Sequence, residues 1–83
     1  MDEFLKIFQR DLPDINKLAD GFDYLTRMYQ DSYQNEADIA QAMQDTDNLV
    51  KEQIKMEMMK FVRSMFNDCY YHATGSRAWD EKS

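Results

Sequence analysis

DINKLADGFDYLTRMYQDSYQNEADIAQAM, residues 14–43, followed by QDTDN, residues 44–48, decides the fold. At about 100° per residue, Ile15, Leu18, Ala19, Phe22, Leu25, Tyr29, Tyr33, Ala37, Ala40 and Met43 fall within one arc of about 120°. The phase is held across Asp31 to Asn35, so one continuous helix from 14 to about 44 is expected rather than a break near Ser32. Asn35 with Asp38 forms a competing N-cap pattern, and Glu36 is a charge inside the seam. Over residues 44–48 the seam becomes polar, and every residue but Gln44 suits a turn or an N-cap. A hairpin turn is predicted there.

Beyond the turn, Val50, Ile54, Met58, Phe61, Val62, Met65, Cys69 and His72 mark the expected inward face of a second long helix, over about 47–74. It should stop at Gly75, which can take the left-handed C-cap conformation. On the other side, Phe4, Leu5, Phe8 and Leu12 make one stripe of a short helix over about 2–11, with Asp2 and Glu3 at its positive end. Pro13 ends that helix, because it disfavours helix in the residue before it and suits the first turn of the next. Residues 1–75 are thus read as one helical domain and 76–83 as a polar tail. The fold class is all-α: a short N-terminal helix, then a long antiparallel hairpin, self-associating into a helical bundle.

Composition supports this. The chain has 83 residues, two glycines, one proline and seven methionines, and its many Glu, Lys, Gln, Met, Leu and Ala residues lose little rotamer freedom in a helix. A chain this short closes a core with difficulty. One cysteine cannot form an internal disulfide, so oligomerisation is the expected supplement. Tyr24, Met28, Ile39, Leu49 and Met56 lie off the two seams and are the residues expected to mediate it. With no basic leader and no long apolar run, a cytoplasmic chain without a membrane span is expected.

Charge is unevenly spread. Residues 11–47 carry nine acids against Lys17 and Arg27, a local net of −7, whereas residues 48–66 are mildly basic, within a total of −6. Asp20, Asp23, Asp31, Asp38 and Asp45 read as a negative face. Such a face fits a basic protein surface of the kind that handles nucleic acid, because carboxylates and phosphates present similar spaced charge to Lys and Arg. The predicted function is a small acidic interaction module, a regulator or inhibitor of a larger protein, with no direct nucleic-acid or membrane binding. The alternative is an oligomer that holds a small anion such as a nucleotide among Lys17, Arg27, Arg63, Tyr70 and Tyr71, where cations meet aromatic rings. The bland reading of those tyrosines is packing at the bundle end. Trp79, alone in the tail, either docks back or anchors a partner.

No enzyme is predicted, and no metal or cofactor. Cys69 and His72 are the one reactive pair, three apart on a helix. Two ligands do not complete a zinc site, and both fall on the expected core seam. Phosphate-loop, nucleophile-elbow and zinc-protease patterns are lacking.

Overall fold

The computed structural model describes residues 2–79, and three helices run through them: α1, Asp2–Phe8; α2, Asp14–Ala42; and α3, Thr46–Thr74. The two long helices pack against each other as an antiparallel hairpin. α1 packs on α2 and not on α3, so the three form a row that measures 47 × 29 × 15 Å.

α1 closes at Phe8, earlier than the expected 11, and residues 9–13 turn the chain, with the Leu12 amide donating to the Arg10 carbonyl at 3.0 Å. Pro13 stands extended at the N-cap of α2 with φ −55° and ψ 148°. Its carbonyl accepts the amides of Asn16 and Lys17. Ile7 is buried, Phe4 meets Tyr24 with ring centroids 5.7 Å apart, and Phe8 lies directly over Gly21. A Cβ on Gly21 would come within 2.5 Å of the tip of that ring, so this glycine is what lets α1 sit so close.

The α2–α3 connection is only Met43, Gln44 and Asp45. The Asp45 amide reaches back to the Ala40 carbonyl at 2.8 Å and the Gln44 amide to that of Gln41 at 3.1 Å, the paired bonds of a Schellman stop. Its left-handed position falls on Gln44, φ 57°, the one residue of 44–48 that is not a good turn former. Asp45 then caps α3, accepting the Asn48 amide at 3.3 Å and the Asn48 side chain at 2.6 Å. At the far end Gly75 takes φ 78°, and its amide bonds the Tyr71 carbonyl.

The hairpin interface is not the one the seams predict. From α2, Ala19, Thr26, Ala37 and Ala40 are buried, with Phe22 and Tyr33 half-buried, whereas Ile15, Leu18, Leu25, Tyr29 and Met43 from the same seam are exposed. On α3 the correction is complete. Val50, Ile54, Met58, Phe61, Val62 and Met65 are exposed, as are Cys69 and His72. The face turned to α2 holds Leu49, Met56, Met59, Phe66 and Tyr70, half-buried, around Arg63 and Asn67, buried. The reason is that α3 is apolar on two nearly opposite sides, and one side carries a cation that α2 can satisfy.

That cation is Arg63, the most deeply buried large side chain, 2% exposed. Its guanidinium bonds the Asp23 carboxylate at 2.6 Å, the Asp23 carbonyl at 3.3 Å and the Thr26 hydroxyl at 2.5 Å. Thr26 in turn donates to the Phe22 carbonyl at 2.8 Å. Removing one partner from a buried pair strands the other charge at a cost of about 3 kcal/mol. Asp23→Ala is therefore expected to destabilise by about that amount, with Asp23→Ala/Arg63→Met recovering part of it. Urea denaturation at one fixed chain concentration reads both, and equal stability of Asp23→Ala and the parent would refute the assignment. The same titration should show Gln44→Gly more stable by about 1 kcal/mol, since glycine removes the left-handed penalty.

Candidate functional site

A chain with an acidic long helix can offer its carboxylates only where folding has not already used them. Around α2, Asp20, Asp31 and Asp38 fall within about 20° of one another, on a side about 120–140° from the line to α3. Their separations along the axis are about 16 Å and about 10 Å. Asp31 and Asp38 are exposed and Asp20 half-buried. Asp20 holds a loose ion pair with Arg10 at 3.8 Å, and Asp38 accepts the Gln34 amide at 2.9 Å. Exposed pairs of this kind contribute little. These three remain available as a strip.

The other two expected acids are committed. Asp23 binds Arg63 inside the hairpin and Arg27 outside it, the latter at 2.9 Å, and Asp45 is the α3 cap. Nor do the α3 lysines neutralise the strip. Lys55 pairs with Glu52 at 3.0 Å and Lys60 with Glu57 at 3.3 Å, both within α3, and Lys55 also lies 5.6 Å from the Tyr33 ring centroid.

Of the residues of the alternative anion site, Arg27 and Arg63 come together at Asp23 and the others are placed apart from them. The two arginines share the Asp23 carboxylate, and Arg63 is buried, so of the two only Arg27 faces water. The Tyr70 hydroxyl bonds Asn16 at 3.4 Å. Tyr71 stands half out in water, edge-on to His72 with centroids 5.8 Å apart. Lys17 lies on the α1 side of α2, about 180° from the α3 contact. Of the expected self-association residues, Met28 and Ile39 are exposed, while Leu49 and Met56 are half-buried toward α2 and Tyr24 toward α1. Among the described residues no group of three His, Cys, Asp or Glu is placed to hold a metal.

Two features carry no periodic signal in the sequence. The first is a hollow at the hairpin turn, about 210 Å³, lined in part by Glu36, Met43, Asp45 and Glu52. It falls below the roughly 300 Å³ at which small-molecule sites begin. The second is the docked tail. The buried Asn67 side chain donates to the Trp79 carbonyl at 3.2 Å and accepts the Ala78 amide at 2.8 Å, which seats Trp79 in a stack with Phe66 and Phe22 at 5.3 and 6.1 Å. Phe22 and Phe66 are themselves 4.4 Å apart. The Arg63 guanidinium carbon lies 4.8 Å from the Trp79 ring centroid. Residues 76–79 are thus part of the fold and, through Trp79, cover Arg63; the rest of the expected tail, 80–83, lies outside the described residues.

Comparison with protein-family models, with characterised proteins and with solved structures finds no match to this chain. No described helix is long and apolar enough to cross a membrane. Since Trp79 is the sole tryptophan, its fluorescence reports the docked tail directly. Emission to the blue of the unfolded chain is expected, moving to the red in Asn67→Ala with faster iodide quenching. Unchanged emission in that variant would contradict the tether.

Proposed function

We propose that this chain is a binding module, not an enzyme, and that it presents the acidic side of α2 to a basic surface of a larger nucleic-acid-handling protein, which it regulates or inhibits. The observation that carries the reading is the strip of Asp20, Asp31 and Asp38, along a helix whose neighbouring Lys55 and Lys60 are paired within α3, in a chain of net charge −6. A basic groove built for phosphates attracts spaced carboxylates by the same Coulomb forces, and that attraction raises the rate of encounter as well as the affinity. The strip lies on a helix held at both ends and along one side, so little ordering cost falls on the binding step. The reading as a binder is also supported by the exposure of Cys69 and His72 on α3, where among the described residues no group of three His, Cys, Asp or Glu forms.

Capture of a protein from cell extract on the immobilised chain tests this, with Asp31→Lys/Asp38→Lys as the comparison. The captured protein should bind nucleic acid, be displaced by duplex DNA or by salt, and bind the doubly reversed variant about tenfold more weakly or less. Equal capture by the variant, or indifference to both DNA and salt, would sink the proposal.

A further inference from the structure

The outer side of α3 is where the molecule departs furthest from what a small isolated domain presents to water. Val50, Ile54, Met58, Phe61 and Met65 are between 46% and 67% exposed. They follow one another at steps of four, four, three and four residues, within an arc of about 80°, nearly opposite the face turned to α2. No charged residue falls in that arc between Val50 and Met65. This spacing is that of a helix–helix seam, in which each side chain enters a hole on a facing helix. A helix apolar on two opposite sides is at home only when covered on both.

We propose that a second copy of this chain covers it, α3 packing against α3 about a two-fold axis, so that each α3 lies between its own α2 and the α3 of its partner. The size of the unburied surface points to an occupant of this kind. The chain exposes 6468 Å², against about 5200 Å² for a compact chain of 10.0 kDa. The excess, about 1200 Å², exceeds the roughly 800 Å² that each partner gives to a standard interface. The radius of gyration, 15.3 Å, likewise exceeds the roughly 11.8 Å of a compact chain of this length. Charge opposes a like partner least on this side: the acidic strip lies on α2, so two copies of net charge −6 meeting through α3 keep those carboxylates farther apart than a contact through α2 would. The self-interface expected from sequence is thereby moved from Tyr24, Met28, Ile39, Leu49 and Met56 to the outer side of α3. The proposal does not depend on the acidic strip having a partner.

Light scattering on chromatographed protein at low and high salt decides it. The parent should show twice the 10.0 kDa chain mass at both salts, since an apolar contact is not screened. Met58→Glu/Phe61→Glu should fall to the single-chain mass with its helical circular dichroism kept, whereas Asp31→Lys/Asp38→Lys should stay doubled. A single-chain mass for the parent, or a doubled mass that survives Met58→Glu/Phe61→Glu, overturns the proposal. If that variant loses its helices, peroxide oxidation of the parent tests the interface instead. Relative to Met43, which is 74% exposed, Met58 and Met65 should oxidise several-fold more slowly as chain concentration rises, and a ratio that does not change with concentration overturns the interface.

Discussion

The contact between Asp23 and Arg63 fixes which of two similar molecules this sequence becomes. α3 has two apolar sides of comparable quality, so burial of hydrocarbon alone does not choose between them. What chooses is that one side carries a guanidinium, and α2 offers it a carboxylate, a backbone carbonyl and a hydroxyl at Asp23 and Thr26. Such a pair adds little net stability, because removing two charges from water costs about as much as their attraction returns. Its effect is on orientation: turning α3 about its axis would leave Asp23 with Arg27 alone and exchange five half-buried apolar contacts for five others. The Phe22–Phe66–Trp79 stack then covers the Arg63 guanidinium, while the Asp23 carboxylate keeps partial access to water.

The same choice makes the core thin. α2 brings alanines and Thr26 to the interface, against Leu49, Met56, Met59, Phe66 and Tyr70 from α3. Small residues let the helices approach, yet the buried apolar side chains among the described residues are Ile7, Ala19, Ala37 and Ala40, and alanine removes little hydrocarbon from water. A domain is ordinarily two packed layers around one core, whereas these helices stand in a row. The exposed side of α3 is therefore the remainder left by using the Arg63 side inward, and the two features share one cause.

Much of the fold was legible because it rests on local chemistry. The turn after Met43, the Pro13 boundary and the Gly75 cap follow from backbone preferences that a few residues reveal. The helix faces were not, because hydrophobic periodicity scores each helix by itself. Val50, Ile54, Met58, Phe61 and Met65 form the cleaner stripe, and a reading that assigns the cleaner stripe to the core takes Arg63 and Asn67 for surface residues. Arg63 bonds groups 40 and 37 residues away, at Asp23 and Thr26, and Asn67 bonds groups 11 and 12 residues on, at Ala78 and Trp79; no single-helix pattern contains them. The acidic side of α2 was readable as composition, but only coordinates separate Asp20, Asp31 and Asp38, which remain open, from Asp23 and Asp45, which hold the hairpin together.

That separation bears on how the two proposed surfaces work together. The carboxylate strip and the outer stripe of α3 lie on different helices and draw on different forces, one screened by salt and one not. Two copies joined through α3 would present two acidic strips related by a two-fold axis. A partner with one basic groove would engage one strip and leave the other free, so affinity would rise little with dimerisation. A partner that is itself two-fold symmetric would engage both, the second contact forming at the high effective concentration set by a rigid hairpin rather than by a flexible linker. The α3 contact would then act on affinity without touching the partner at all, and weakening it would loosen the complex by removing the gain that the second contact supplies.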